Sequence, residues 1–161
     1  MSDVVEFKLF REGAILPVKS TEGAAGYDVF AWNLDQFDGI SLVSSGQVVA
    51  VRTGLNVNIP KGYEIQVRPR SGMALKHSVT VLNTPGTVDY DYCPGENDDS
   101  ESFELKVILI NHNKFPFTVK HGERIAQLVI NKLPEVSVVE VEQFTRTNNT
   151  DRKGGFGSTG V

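Results

Sequence analysis

The sequence predicts an all-β fold, and three observations support that prediction. Apolar and polar residues alternate with a period of two in several short segments, as half-buried strands require. Turn-forming Gly and Pro residues separate these segments at close spacing. Only one segment is suited to a helix, and it spans one or two turns at most. The 161 residues therefore favour a single-domain sandwich, barrel or jelly roll.

The alternation identifies the individual strands. Residues 5–9, 63–67 and 103–109 place apolar side chains at every second position. Further apolar runs that predict strands lie at residues 47–51, 125–130 and 136–141. Turns between the segments contain Gly23, Gly46, Pro60-Lys61-Gly62, Pro85-Gly86, Pro94-Gly95 and His121-Gly122. The one helix candidate is residues 71–76, with Ser71 placed to cap it.

Composition and charge narrow the classes of function. The formal net charge is −4, so we expect no direct nucleic-acid binding, which depends on neutralising phosphates with Lys and Arg. Cys93 is the single cysteine and cannot form an intrachain disulfide. The N-terminal residues lack the pattern of a secretion signal, and no apolar run approaches the ~20 residues of a membrane helix. We expect a cytoplasmic protein without membrane contact, or a nuclear one if the source is eukaryotic.

The glycine-rich C-terminal end matches a dinucleotide-binding pattern. Residues 155–160 read Gly-x-Gly-x-x-Gly, but that motif needs a strand before it and a helix after it, and neither is predicted here. A flexible tail is the plain interpretation. Phe156 could also stack on a flat ring, while glycine amides and Ser158 could wrap phosphate oxygens. The sequence shows no Walker A motif, no metal-ligand spacing among its histidines and no Gly-x-Ser-x-Gly elbow.

Four other clusters allow both a functional and a structural interpretation. Residues 68–72 place two arginines before the helix candidate, which suits a phosphate but also an ordinary solvated strand end. Asp89 and Asp91 would share one face of a regular strand, where Asp89 could activate a water or simply be solvated. Arg124 could contact a ligand or form a buried ion pair. Asp28 could be a simple turn carboxylate.

Five short motifs, in their order and identity, resemble the homotrimeric dUTP diphosphatase (dUTPase) family. The motifs are residues 24–28, 70–74, 86–92, 122–128 and 154–160. The resemblance implies a jelly-roll-like β-barrel over residues 1–144 and a mobile tail, residues 145–161, that closes over the active site. It also implies a homotrimer whose three sites lie at subunit interfaces.

The resemblance further implies hydrolysis of dUTP to dUMP and pyrophosphate, which limits uracil in DNA and supplies dUMP for dTMP synthesis. Asp89 would activate the water that attacks the α-phosphorus. Asp28 would hold waters around a Mg²⁺ ion that bridges the phosphates. Substrate contacts are implied for Arg70, Ser71, Gly72, Asn83, Gly86, Thr87, Val88, Tyr92, Lys106, Gln127, Arg152, Phe156, Gly157 and Ser158.

Each of these contacts has an implied role. Asn83 and the backbone of residues 86–88 would read the uracil edge, and Tyr92 under the deoxyribose would leave no room for a 2′-hydroxyl. Residues 70–72 and Gln127 would grip the phosphates. In the tail, one aromatic ring would cover the uracil and one basic residue would approach the terminal phosphate: Phe156 and Arg152.

The chain departs from the family pattern at two places. The family's tail usually reads Arg-Gly-x-Gly-Gly-Phe-Gly, whereas here Arg152 and Lys153 directly precede the glycines, so either could meet the γ-phosphate. Residues 93–103 add an acidic loop that is either a neutral surface insertion or a docking site for a protein partner. Two alternatives therefore stay open: a dCTP deaminase of the same fold, and a nucleotide-switched regulatory binding protein that uses the acidic loop.

Overall fold

The computed structural model of the chain describes residues 3–145, which form eleven strands and one α-helix. The elements are β1 (Glu6–Leu9), β2 (Tyr27–Phe30), β3 (Ile40–Val43), β4 (Val48–Arg52), β5 (Leu55–Asn58), β6 (Tyr63–Arg68), α1 (Ser71–His77), β7 (Val79–Val81), β8 (Gly86–Val88), β9 (Lys106–Asn111), β10 (Phe117–Lys120) and β11 (Arg124–Lys132). The prediction of an all-β fold with one short helix is confirmed. No helix among these residues is long and apolar enough to cross a membrane.

The strands of the described region form four antiparallel sheets. The largest has the order β2-β11-β6-β8, the second has the order β4-β9-β7, and β1-β5 and β10-β3 form two-stranded sheets. Strands β7, β8 and β9 alternate buried and more exposed residues, as an antiparallel sheet with one solvated face requires. The residues with the largest fully buried side chains include Leu55, Ile65, Leu109, Ile125, Leu128, Val29, Val43, Val51, Val57, Val79 and Val81.

Five of the six predicted strands correspond to observed ones, namely β1, β4, β6, β9 and β11. Strand β9 begins only at Lys106. Before it, the Phe103 carbonyl accepts the Asn56 side chain and the Leu105 amide donates to the Leu55 carbonyl. The strand predicted at residues 136–141 is wrong. That segment pairs with no strand of the described chain, and Val136 and Val138 are 76% and 96% exposed. An apolar run favours a strand only where a partner edge is available.

Two local predictions are also wrong. Ser71 is not the helix cap: α1 begins at Ser71 itself, and the capping position is Arg70, whose side chain makes no capping hydrogen bond. The chain does not continue as a regular strand through residues 89–92. Strand β8 ends at Val88, and the Tyr92 amide donates to the Asp89 carbonyl (3.1 Å), which closes a β-turn. Asp89 and Asp91 therefore do not share a strand face.

Candidate active site

A cavity of about 270 Å³ lies between the two larger sheets, where β8 faces β4 and β9. Six of the predicted substrate-binding residues line it, together with apolar residues from the flanking strands. The full lining is Ala50, Val67, Asn83, Gly86, Thr87, Val88, Tyr92, Glu104, Leu105, Lys106 and Ile108. Residues from four separated segments of the chain thus meet in one place, which we call the nucleoside pocket.

Strand β8 gives the nucleoside pocket a backbone wall. It pairs only with β6 and stands at the edge of its four-stranded sheet. An edge strand presents unpaired N–H and C=O groups on its outer side. These groups can recognise the donors and acceptors of a planar base much as they would recognise another strand.

Gly86 permits close packing at the start of β8. A Cβ atom there would lie 3.0 Å from Asn83 Nδ2 and 3.3 Å from Val67 Cβ. Both distances are tighter than ordinary van der Waals contact, so a side chain at residue 86 would displace the Asn83 amide. Glycine therefore lets Asn83 lie directly against β8, at the wall of the nucleoside pocket.

Tyr92 is half-buried at the opposite side of this pocket. Its hydroxyl donates to the carbonyl of Glu104 (3.2 Å), and its ring packs against Phe103 with centroids 5.6 Å apart. Burial, and secondarily the nearby Glu104 carboxylate, raises the pKa of Tyr92. The phenol therefore stays protonated at neutral pH and keeps its hydrogen bond as a donor.

Asp89 directly follows β8, in the turn that leads to Tyr92. Its side chain is exposed, and its carbonyl accepts the Tyr92 amide. The turn places Asp89 between two residues that line the pocket, Val88 and Tyr92, but Asp89 does not line the pocket itself. Its position is compatible with the predicted role of a base, which stays a prediction.

A second group of predicted residues surrounds Asp28, on β2. Both carboxylate oxygens of Asp28 are engaged: Oδ1 by Arg70 Nε (3.2 Å) and Gln127 Nε2 (3.5 Å), Oδ2 by Ser20 Oγ (2.5 Å) and Arg124 Nη1 (3.5 Å). The carboxylate is buried, whereas the side chains of the two arginines are 26% and 49% exposed. Asp28 thus holds a pair of cations and an amide at the surface, and we call this group the Asp28 cluster.

The electrostatics of the Asp28 cluster favour the charged carboxylate. Burial acts to raise the pKa of Asp28, but the hydrogen bond from Ser20 and the charges of Arg70 and Arg124 outweigh it, so the pKa is lowered. Asp28 is therefore ionised at neutral pH. Its single negative charge faces two guanidinium groups, which leaves a positive surplus suited to an anion.

The cross-strand register explains why these residues meet. Gln127 of β11 lies opposite Asp28 of β2 on one side and opposite Arg68 of β6 on the other. Gly26 allows β2 to approach closely, since a Cβ there would lie 3.3 Å from both Gln127 Cβ and the Leu128 carbonyl. Beside the cluster, a wide cleft is lined by Arg70, Gly72, Met73, Lys76, His77 and Arg124 among others.

The structure brings the predicted residues into two groups and does not join them within one chain. Asp28 lies on β2 and the nucleoside pocket on β8, at opposite edges of the four-stranded sheet. Three strand spacings separate these edges, which is about 14 Å. The predicted tail contacts, Arg152, Phe156, Gly157 and Ser158, lie outside the described residues.

The residues present do not form a metal site on their own. Within residues 3–145, no group of three or more His, Cys, Asp and Glu side chains could hold a metal ion. Asp28 is a single carboxylate that already accepts three hydrogen bonds and forms an ion pair with Arg124. Mg²⁺, however, is usually bound through one or two carboxylates, waters and substrate phosphates. The donor set therefore fits an ion that arrives on a triphosphate, and the water-mediated role of Asp28 stays a prediction.

Sequence reasoning missed three residues that organise these groups, Ser20, Phe103 and Glu104, and left the role of Arg124 open. Ser20 and Arg124 complete the shell of Asp28, and Arg124 is a partly exposed ion pair, whereas the sequence left open a buried pair or a ligand. Phe103 and Glu104 hold Tyr92. Their contacts join segments that are distant in sequence or depend on how a loop folds back. A local sequence pattern therefore cannot predict these contacts.

A family model identifies the family of the chain. The dUTPase model matches residues 12–160 of the chain. The chain belongs to the dUTPase family. A deoxyuridine 5′-triphosphate nucleotidohydrolase of Fusobacterium nucleatum subsp. nucleatum is 48% identical over 157 residues, which cover 97% of each chain.

Solved dUTPase structures share the fold. A mutant dUTPase of Staphylococcus bacteriophage 80alpha, with dUpNHpp, superposes with a TM-score of 0.82 at 22% identity and covers 99% of this chain and 100% of its own. A mutant dUTPase from phage phi11 of S. aureus, described for the coordination of a structural Mg(II) ion, has a TM-score of 0.74 at 20% identity over 89% of this chain and 100% of its own. The predicted jelly-roll dUTPase fold is confirmed.

Proposed function

We propose that this chain hydrolyses dUTP to dUMP and pyrophosphate. One observation carries the proposal: six residues that the family resemblance implied as substrate contacts line a single cavity in the fold. Family membership and relatives that are named deoxyuridine 5′-triphosphate nucleotidohydrolases support the same substrate.

The edge of β8 accounts for the choice of base. Uracil presents a fixed pattern of one N–H donor flanked by two carbonyl acceptors, which the backbone of residues 86–88 and the Asn83 amide can complement. Cytosine reverses part of that pattern and would leave buried polar groups unpaired, which is costly. The extra methyl of thymine would collide with the closely packed hairpin.

Tyr92 accounts for the choice of sugar. Its ring lines the nucleoside pocket and is held from behind by Phe103 and the Glu104 carbonyl. A deoxyribose would pack on the ring face, whereas a 2′-hydroxyl would meet the ring without space or a hydrogen-bonding partner. Rejection of ribonucleotides then comes from a clash, which selects against the wrong substrate.

Hydrolysis would proceed by in-line attack of water on the α-phosphorus, and the pyrophosphate would leave. Asp89 would take the proton of the water, as a general base within reach of the nucleoside pocket. Arg70 and Gln127, held by Asp28, would bind phosphate oxygens. A magnesium ion carried by the triphosphate would neutralise charge on the phosphates. Catalysis would then consist mainly of positioning and electrostatic stabilisation.

A shared site between subunits would join the two groups. The nucleoside pocket and the Asp28 cluster lie at opposite sheet edges of one chain. Packing of identical chains in a homotrimer would place the pocket of one beside the cluster of the next. The exposed valines of residues 136–141 support such an assembly, because an apolar segment of this kind is normally covered.

The tail would complete the site. Residues 145–161 would close over the bound nucleotide, with Phe156 on the uracil, Gly157 and Ser158 near the phosphates, and Arg152 or Lys153 at the γ-phosphate. Truncation after Asn149 should then lower kcat while leaving the unfolding midpoint unchanged. Full activity of the truncated chain would contradict the closure.

Release of pyrophosphate from dUTP, dCTP, dTTP and UTP, each with and without Mg²⁺, tests the proposal. We expect turnover of dUTP alone, and only with the metal. Ammonia release from dCTP, measured in parallel, would identify a deaminase instead. Binding of dUTP without turnover would favour the regulatory alternative, for which the acidic loop stays the predicted partner surface.

A further inference from the structure

Both ends of the acidic loop, residues 93–103, lie beside Tyr92. The loop begins directly after Tyr92 and folds back so that Phe103 and Glu104, just before β9, lie next to it. The returning residues contact the ring: Phe103 packs on it at an interplanar angle of 58°, and the Glu104 carbonyl accepts its hydroxyl (3.2 Å). The insertion therefore forms the outer support of the nucleoside pocket's aromatic wall.

The returning half of the loop is fixed to the barrel. The Asn56 side chain donates to the carbonyls of Ser100 (2.8 Å) and Phe103 (3.0 Å). Asn56 itself is buried on β5 and is 2% exposed. Phe103 is thus held by a rigid strand and does not move freely with an exposed loop.

Glu104 is anchored just as firmly. It is 2% exposed, and its carboxylate accepts the Gly54 amide (2.9 Å) and Arg11 (3.3 Å). Arg11 also binds Glu101 (2.9 Å) and stacks over Trp32 with 4.7 Å to the ring centroid. A buried, fully bonded glutamate fixes its own backbone carbonyl, and that carbonyl fixes the Tyr92 hydroxyl.

The exposed tip of the loop is separate from this support. The hydrogen bonds given for residues 95–99 stay within the loop, as in the Gly95 amide to Asp98 (2.8 Å) and the Glu101 amide to Asp99 (3.0 Å). A substitution at the exposed Glu96 therefore leaves the contacts of the returning half in place.

We propose that Phe103 is a positioning residue that holds the Tyr92 ring in place and thereby sets the discrimination between dUTP and UTP. This inference rests on the proposed function, in which Tyr92 excludes a 2′-hydroxyl by contact. Exclusion by contact works only if the wall cannot yield, because the ribonucleotide differs by a single oxygen atom. The Phe103 side chain packs against the Tyr92 ring and keeps it from moving away from the pocket. The Glu104 carbonyl fixes the hydroxyl end of Tyr92.

The test compares kcat/KM for dUTP and UTP in the full chain. Phe103→Ala should lower the dUTP preference about 3- to 10-fold, the range of an aromatic pair. Phe103→Tyr should restore the preference, because it keeps the ring. Phe103→Leu serves if the alanine variant does not fold, and Glu96→Gln, at the exposed tip, is the matched control that should leave the preference unchanged.

A double variant with Tyr92→Ala separates positioning from a general effect. If Phe103 acts through Tyr92, Phe103→Ala should add nothing to the preference already lost in Tyr92→Ala. Additive losses, or an unchanged preference in both Phe103→Ala and Phe103→Leu, would overturn the inference.

A spectroscopic measurement keeps the inference distinct from the proposed function. Fluorotyrosine labelling followed by ¹⁹F NMR should show the Tyr92 resonance, assigned through Tyr92→Phe, moving in Phe103→Ala while the other three tyrosines stay in place. If the wild-type chain does not hydrolyse dUTP, the hydrolysis assay contradicts the proposed function, and the NMR result for Tyr92 is unaffected. An unmoved Tyr92 resonance would overturn the positioning role whatever the activity.

Discussion

Asp28 shows how a buried charge organises an exposed binding surface. Its carboxylate accepts three hydrogen bonds, pairs with Arg124 and is almost fully enclosed, while its partners Arg70 and Arg124 keep exposed faces. A buried carboxylate is stable only when its acceptor sites are used, so the shell is as necessary as the charge. The same contacts that stabilise Asp28 therefore orient the cations that would meet the phosphates.

Replacing Asp28 by Asn should weaken both stability and phosphate binding. We expect a loss of about 1.5–3 kcal/mol in the free energy of unfolding at pH 7, the range for hydrogen bonds to charged groups. Urea unfolding of Asp28→Asn beside the wild type measures this loss. Equal stability of the two proteins would show that the cluster is held by other contacts.

The stabilisation by Asp28 should depend on pH in a definite direction. The folded pKa lies below the usual value of 3.8, so the folded state favours the ionised carboxylate. The contribution is complete above the usual value and is lost as the pH falls through the lower folded pKa. The stability difference between wild type and Asp28→Asn should thus be constant from pH 7 to 5 and shrink below pH 3.8. A difference that grew on acidification would contradict this.

Substitution of Asp89 should abolish hydrolysis of dUTP without weakening its binding. Asp89→Asn removes the proposed base and keeps the shape, so kcat should fall about 10²- to 10⁴-fold while dUTP still binds. Asp91→Asn, an exposed carboxylate in the same turn, is the matched control. A near-normal kcat in Asp89→Asn, measured by pyrophosphate release, would remove the proposed role.

Among the elements, β8 shows how three residues can form a recognition surface. The strand pairs on one side with β6 and leaves the other side open to the nucleoside pocket. Exposed edge strands commonly pair with a strand of another chain. Here the side walls of the nucleoside pocket leave too little space for another strand. A small planar base can enter that space.

Gly86→Ala tests whether β8 packing matters for the base. The added Cβ would lie 3.0 Å from Asn83 Nδ2, so the amide must shift. We expect KM for dUTP to rise about tenfold, in line with the overpacking cost of one extra methyl in a tight site. Gly23→Ala, where nothing lies within 4 Å of the added atom, is the control. An unchanged KM in Gly86→Ala would show that Asn83 does not read the base.

At the scale of the whole molecule, the separation of the two groups predicts that active sites are shared between chains. Asp89→Asn and Arg70→Ala should each be inactive alone. Co-expressed, they should form mixed trimers in which some sites combine an intact Asp89 with an intact Arg70 from another chain.

Activity of the co-expressed pair, measured on purified mixed trimers, should therefore exceed that of either variant by far. Sedimentation of the wild-type chain gives the oligomeric state independently. Absence of rescue in trimers shown to contain both variants would place each site within one chain and contradict the shared arrangement.

The sequence alone determined the all-β class, the short helix and five of the eleven strands of the described chain, because alternation with a period of two is a local property of a half-buried strand. Through the family resemblance it also selected six of the residues that line the nucleoside pocket, because the motifs that carry the resemblance keep a fixed order along the chain. It failed where a segment depends on what lies beside it. Residues 136–141 have the composition of a strand, but no edge of the described chain pairs with them.

Only the tertiary structure decided how the site is held together. The turn at residues 89–92 replaced the expected strand. The shell of Asp28 came from Ser20, Arg70, Arg124 and Gln127, of which Ser20 and Arg124 are 104 residues apart. The support of Tyr92 by Phe103 and Glu104 likewise depends on how the acidic loop folds back. Burial and hydrogen bonding between distant segments are properties of the folded chain, so no local pattern could have specified them.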